Sequence, residues 1–106
     1  MQKLVFGLTR TDDMDPEAFR EHWLDDHASL AADLPGLRRY AVSFPDDPER
    51  SEFDCIAELY FDDSESLDAA LASEAGGAAA RDLANFAGDR TLQMIVQEHV
   101  VVDAGE

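Results

Sequence analysis

The segment from Asp15 to Tyr40 most constrains the fold of this chain, because it contains both a helix start and a helix stop. Its first residue is a good N-cap, and Pro16 suits the first helical position, where its missing N–H is not needed. Pro35 and Gly36 end the helix, since proline cannot continue it and glycine accepts the conformations of a tight turn. The pattern predicts a helix that runs to about Leu34.

A histidine lies inside the apolar stripe of this helix. At about 100° per residue, the stripe spans roughly 80° and comprises Phe19, Trp23, His27, Leu30 and Leu34. An imidazole titrates near neutral pH, so His27 can move a proton to or from a small substrate. Alternatively, His27 is a packed residue bonded to a backbone carbonyl or a carboxylate. The residues themselves leave both interpretations open.

The rest of the chain predicts one α+β domain, residues 1–106. Strands are predicted over residues 3–9, 37–44, 52–61 and 91–102. A second helix is predicted to begin near Ser64, with an interruption at 73–77, and a third to span 78–87. The order strand, helix, strand, strand, helix, strand is that of the ferredoxin-like βαββαβ fold. Right-handed crossovers place the helices on one face of a four-stranded antiparallel sheet.

The opposite face of that sheet also needs a cover. The first and last strands carry apolar residues on both of their faces, and a monomer would expose one of these faces to water. An exposed apolar patch of this size usually marks an interface. The sequence therefore predicts a homodimer in which two sheets pack face to face and enclose a core or a cavity.

The acidic composition limits the expected partners. The chain has 24 acidic and 8 basic residues and a net charge of −16. Such a surface repels phosphate backbones and anionic lipids, so we expect neither a nucleic acid nor a membrane as a partner. The acids suit a solvated surface at high salt, where screening weakens self-repulsion. An acidic surface that binds a ligand or a cation is the alternative.

Cellular location follows only as a default. No stretch is long and apolar enough to predict a membrane span, and no signal peptide is recognisable. Cys55 is the only cysteine, and it has the pattern of a small buried residue. The expectation is therefore a cytoplasmic protein without an internal disulfide.

A series of motifs identifies a family. They are, in order, a first strand ending at Arg10, F-R-x-x-W from Phe19, H-A from His27, L-P-G-L-x-x-Y ending at Tyr40, and D-x-x-x-F from Asp82. This pattern resembles that of the EthD family of dimeric α/β-barrel proteins, over about residues 2–101. The resemblance implies a dimeric barrel and an association with oxidative degradation, and it favours a function for His27.

Seven residues are candidates for a site. His27 is the candidate proton carrier, and Asp82 is the carboxylate that orients it, although Asp82 can equally cap or solvate its own helix. The candidate substrate-binding residues are Arg10, Trp23, Tyr40, Tyr60 and His99. Arg10 can bind a substrate carboxylate or form a structural ion pair, and Trp23 can instead anchor the core.

No metal or cofactor is predicted. His22 and His27 are five residues apart, whereas two ligands on one helical face are usually four apart. The scattered glycines form no phosphate loop or dinucleotide motif. Three functions remain: a cofactor-free acid/base enzyme for a small hydrophobic substrate in the barrel cavity, a non-catalytic protein that holds such a compound for an oxidative system, and a haem-binding relative with a histidine as axial ligand.

Overall fold

Four antiparallel strands form the sheet of this ferredoxin-like α+β domain, as predicted. The computed structural model describes residues 1–105, with the backbone alone at residues 89 and 90. The strands are β1 (Gln2–Arg10), β2 (Arg39–Ser43), β3 (Cys55–Phe61) and β4 (Ala87–Gln97). Their order in the sheet is β2-β3-β1-β4, and every neighbouring pair is antiparallel.

The helices pack on one face of this sheet. They are α1 (Pro16–His22), α2 (Ala28–Ala32), α3 (Ser64–Ala72) and α4 (Glu74–Phe86), with a π-helical turn (Trp23–His27) between α1 and α2 and a 3₁₀ turn at Pro48–Arg50. The predicted N-cap of α1 is confirmed, because the Ala18 N–H donates to Asp15 Oδ1 at 2.8 Å. Gly36 adopts a φ of 76° in the predicted turn, a left-handed conformation that glycine tolerates.

The break between α3 and α4 is shorter than predicted. Ser73 caps α4, since its Oγ accepts the N–H of Gly76 at 3.1 Å. The last helix therefore begins at Glu74 and not at residue 78 as predicted. Gly76 and Gly77, which belong to the predicted interruption, lie inside the first turns of α4.

The last strand is shifted from its predicted range, 91–102. It spans Ala87–Gln97 because its ladder with β1 runs from Arg10 opposite Ala87 to Gln2 opposite Gln97, where β1 itself begins. The second and third strands are also shorter than predicted. Their ladder extends only from the pair of Arg39 and Tyr60 to that of Ser43 and Ile56.

The π-helical turn sets the geometry of the first helical segment, which comprises α1, this turn and α2. The Ala28 N–H donates to the carbonyl of Trp23, five residues back, so this turn holds one residue more than an α-helical turn. His22 and His27, which are five apart, thereby come to lie on the same face. The expectation that this spacing separates them assumed α-helical periodicity and is wrong.

The core lies between the helices and the sheet. Its most deeply buried large side chains are Leu4, Phe19, Trp23, Cys55, Phe61, Leu67 and Phe86. Cys55 is buried as predicted and forms no disulfide, and burial raises the pKa of its thiol to about 12. None of the helices in the described part of the chain is long and apolar enough to cross a membrane.

The other face of the sheet, here called the outer face, is free of the described helices. Strand pairing places several apolar side chains on it, including those of Val5, Ile56, Leu92, Met94 and Val96. Of these, Leu92 is 36% and Met94 51% exposed. Lys3 lies on the same face, where its Nζ contacts Glu58 Oε2 at 2.8 Å and Glu98 Oε2 at 3.0 Å. A single chain thus leaves apolar side chains of this face in water.

Candidate functional site

An apolar cavity lies between the helices and the sheet. Its walls include Leu4, Phe6, Tyr40 and Ala57 from the sheet and Trp23, His27, Ala79 and Leu83 from the helical layer. About 80 Å³ is available to the centres of water-sized molecules, which is room for roughly five to eight waters. The cavity is partly open to solvent, so a small organic molecule can occupy it without being fully enclosed. It lies within one chain, on the helical side of the sheet, and not between two sheets as a barrel cavity would.

His27 lies in the wall of this cavity and is only 3% exposed. Its Nδ1 is 2.9 Å from Asp82 Oδ2, so the predicted pairing of these two residues is present. A carboxylate at Nδ1 holds the proton there and makes Nε2 the accepting nitrogen. Nε2 has no hydrogen bond to a described residue, and no fully buried side-chain nitrogen or oxygen among them lacks a partner. Nε2 therefore retains accessible surface.

His22, which is not among the predicted site residues, lies next to the site. Its Nε2 lies 3.2 Å from each oxygen of Asp82, and its Nδ1 lies 3.3 Å from Asp26 Oδ2. One carboxylate of α4 thus contacts two imidazoles of the first helical segment. The signal that could have found His22 is its five-residue spacing from His27, interpreted as a π-helical turn. Among the side chains described, no group of three or more potential ligands is arranged to hold a metal ion.

Aromatic rings fix the orientation of His27. The Trp23 ring meets it edge-on with 4.8 Å between centroids, and Phe86 does so at 5.4 Å. Phe86 also contacts His22 at 4.3 Å. With Asp82 on one nitrogen and rings on two sides, the imidazole has one well-defined direction.

Trp23 also connects the site to the sheet. Its Nε1–H donates to Tyr40 Oη at 3.0 Å, and both residues line the cavity. Trp23 is 1% exposed, so it is a core anchor and a cavity wall at once. The interpretation of Trp23 as a core anchor is confirmed, and its role in substrate binding stays a prediction.

Three of the predicted site residues lie away from the cavity and are not brought together with His27. Arg10 forms the structural ion pair that was the predicted alternative to substrate binding. Its guanidinium pairs with Asp54, and its backbone N–H donates to Asp54 Oδ2 at 2.9 Å. Tyr60 lies on the outer face, where its hydroxyl donates to Glu98 Oε2 at 3.1 Å. His99 is exposed beyond the end of β4. None of the three is among the residues that line this cavity, and their roles in substrate binding stay predictions.

Burial makes the stability of the fold depend on pH through His27. Desolvation lowers the pKa of His27 below 6.5, against the opposing effect of Asp82 and together with a smaller effect of His22. As the pH falls below 6.5, the unfolded chain therefore binds this proton before the folded chain does, which favours unfolding. The contribution of His27 to the free energy of unfolding is constant above about pH 6.5. Below that pH it falls by at most about 1.4 kcal/mol per pH unit.

We expect His27→Gln to remove this part of the pH dependence. Urea unfolding between about pH 5 and about pH 7.5, the range in which histidine titrates, should show a smaller loss of stability at low pH in this variant than in the wild type. His99→Gln is the matched control, because His99 is exposed, and it should retain the wild-type slope. Equal slopes in all three proteins would contradict the prediction.

Comparisons with known proteins agree with this architecture. The model of the EthD domain matches residues 11–90. An uncharacterized 11.0 kDa protein from the thcB-thcC intergenic region of Rhodococcus erythropolis is 33% identical over 90 residues, which are 83% of this chain and 87% of that protein. The crystal structure of an ethyl tert-butyl ether degradation (EthD) family protein from Bacillus halodurans has a TM-score of 0.79 and 35% identity, and the match covers 93% of this chain and all of that one.

A more distant similarity shows the fold alone. SnoaB from Streptomyces nogalater, a cofactor-independent oxygenase, has a TM-score of 0.71 at 16% identity, with 99% of this chain and 97% of that chain covered. The family match spans most of the chain and includes the helical motif around His27. The resemblance seen in the sequence is thus confirmed, and this chain belongs to the EthD family.

Proposed function

We propose that this chain is a cofactor-independent acid/base enzyme that takes a proton from a small apolar substrate. One observation carries the proposal: the Nδ1 of His27 is held by Asp82, and its Nε2 has no hydrogen-bond partner among the described residues, in a side chain that lines an apolar cavity. A neutral imidazole with a free nitrogen is a general base at neutral pH. Asp82 stabilises the imidazolium that forms when the proton is taken.

The environment of His27 supports this role. Burial lowers the pKa of His27, so the ring is neutral and able to accept a proton at neutral pH. The contacts with Trp23 and Phe86 hold the ring in place, which reduces the reorganisation needed for proton transfer. SnoaB gives support of a weaker kind, because it shows that a chain with this fold can carry out chemistry without a cofactor.

Binding of an apolar ligand is the first test. Trp23 is the only tryptophan and lines the cavity, so its fluorescence should change saturably when indane, a neutral bicyclic hydrocarbon, enters. Ala79→Leu should abolish this change, because the larger side chain fills the cavity. Ala72→Leu, at an exposed position of α3 outside the cavity wall, should leave it intact. Indane that leaves Trp23 unchanged, or that binds both variants equally, would contradict the proposed site.

A non-catalytic binding protein is the second candidate. The nearly complete apolar lining of the cavity favours it, since such a wall holds a hydrophobic compound without any proton transfer. This protein would bind indane as the enzyme does but would not accelerate the removal of a proton. For the haem-binding alternative, no observation at this cavity gives support.

We also propose that two copies associate through their outer faces. Exposed apolar side chains such as Leu92 and Met94 are then covered by the partner, which removes their contact with water. Met94→Glu should weaken the dimer more than tenfold, because a buried charge without a partner is costly. Val101→Glu, in the exposed C-terminal segment, is the matched control.

Light scattering measures this association directly. The wild type and Val101→Glu should have twice the chain mass of 11.7 kDa, and Met94→Glu should shift toward the mass of one chain. A wild-type mass near 11.7 kDa at working concentration would refute the dimer.

A further inference from the structure

Tyr40 has a hydrogen-bond donor that the protein does not use. An indole N–H can only donate, so Tyr40 Oη is the acceptor in its 3.0 Å hydrogen bond with Trp23. The phenolic proton of Tyr40 has no acceptor among the described residues. Burial raises the pKa of this hydroxyl, so it remains a donor at neutral pH. The hydroxyl belongs to a residue of the cavity wall, where a ligand can accept its proton in a hydrogen bond.

The donor of Tyr40 and the acceptor of His27 lie on the same part of the wall. Trp23 touches both, through its hydrogen bond to Tyr40 and through its edge-on contact with the imidazole at 4.8 Å between centroids. Among its described residues, the otherwise apolar wall therefore presents one donor and one acceptor, both on side chains that contact the Trp23 indole. A ligand that satisfies both needs an acceptor atom and, close to it, a proton that can be removed.

Among the described side chains, no lysine or arginine lines the cavity and offers a cation to an anionic ligand. Lys3 is bound to Glu58 and Glu98 on the outer face, and Arg10 is paired with Asp54. The carboxylate of Asp82 lies directly behind His27, and it would repel a carboxylate or phosphate group of a ligand. An ionised group without a partner in such a place is strongly disfavoured. The ligand is therefore uncharged.

From these observations we infer that the substrate is an uncharged carbonyl compound with an apolar body, whose oxygen accepts a hydrogen bond from Tyr40 while its α-carbon faces His27. The inference rests on the proposed function, because it names the substrate class of the same site. His27 Nε2 takes the α-proton, the C–H electron pair becomes the C=C bond of an enolate, and the carbonyl π pair moves onto oxygen. Asp82 balances the imidazolium, and the Tyr40 hydroxyl stabilises the enolate oxygen.

Ligand affinity tests the recognition of the carbonyl group. The probes are 2-indanone and indane, which share one bicyclic body and differ by a carbonyl oxygen. Calorimetric titration of the whole protein should show that the wild type binds 2-indanone about two- to tenfold more tightly than indane, as expected for one net hydrogen bond. Tyr40→Phe should lose this preference and keep its affinity for indane, which shows that its cavity is still formed. His27→Gln should keep the preference.

The exchange of α-protons tests the reaction. In deuterium oxide, the wild type should accelerate the loss of the α-proton signal of 2-indanone, as followed by proton NMR. Tyr40→Phe should lower this rate about 10²-fold, in line with the loss of one donor to a developing oxyanion. His27→Gln should abolish the acceleration.

The outcomes separate the two levels of inference. Equal wild-type affinity for both probes, or a preference and an exchange rate that survive in Tyr40→Phe, would overturn the carbonyl assignment while the proposed base remains. Failure of indane itself to bind, or exchange that does not depend on His27, would overturn the proposed function and the substrate class together.

Discussion

Replacing His27 by glutamine is expected to slow proton abstraction in the cavity by about 10²–10⁴-fold, the usual contribution of a positioned general base. A suitable probe is 1,2-benzisoxazole, an uncharged bicyclic carbon acid. Removal of its ring C–H proton breaks the N–O bond and releases 2-cyanophenol, whose absorbance gives the rate. Glutamine has nearly the length of histidine and can contact Asp82 through its amide, so the cavity should persist while the base is lost.

The same substitution elsewhere in the chain is the control. His99→Gln changes an exposed histidine outside the cavity and should retain the wild-type rate. In the wild type, the rate should rise with pH as His27 loses its proton and should level off at or below pH 6.5, because burial lowers the pKa of this histidine. If His27→Gln retains the wild-type rate, the role of His27 as a base is disproved.

Replacing Phe86 by alanine is expected to lower the free energy of unfolding by about 3–5 kcal/mol, as for other fully buried phenylalanines. Phe86 is 2% exposed and packs on Phe19 and Trp23 with centroid distances of 5.5 and 5.6 Å. The large effect follows because the cavity left by the ring adds to the lost burial of the ring itself. Urea unfolding at about pH 7.5, above the titration of His27, measures it.

Phe44→Ala provides the comparison for this change. Phe44 is only half-buried and carries the guanidinium of Arg20 over its ring at 5.0 Å. Phe44→Ala should lower the free energy of unfolding by less than half as much as Phe86→Ala, because less apolar surface returns to water. Similar losses in the two variants would show that the packing around the histidines is not a centre of stability.

The overall fold followed from local patterns that have a single physical interpretation. The N-cap at Asp15 and the turn at Gly36 are chemical signals, and both mark the ends of the first helical segment. The alternation of Cys55, Ala57 and Leu59 in β3 predicts a buried face, and all three are buried. Such signals depend on neighbours along the chain, so one sequence suffices to interpret them.

The site was less accessible to sequence analysis because it depends on contacts between distant residues. The pairing of His27 with Asp82 joins two helices that are 55 positions apart in the chain, and only the family motifs connected them. Arg10 and Tyr60 were plausible by residue type, but ion pairs and hydrogen bonds with Asp54 and Glu98 hold them elsewhere. The cavity itself depends on how Ala79 and Leu83 of α4 face the sheet, which no periodicity specifies.

The π-helical turn between Trp23 and His27 also bears on how this site can be followed among relatives. A π-helical turn is equivalent to an α-helical turn with one inserted residue, so a relative lacking that residue would carry its two histidines four apart. Both spacings place the imidazoles on one face toward the same carboxylate. An alignment that places no gap at this position would misplace His27 by one column. A search for this pair of histidines among relatives therefore has to allow both spacings.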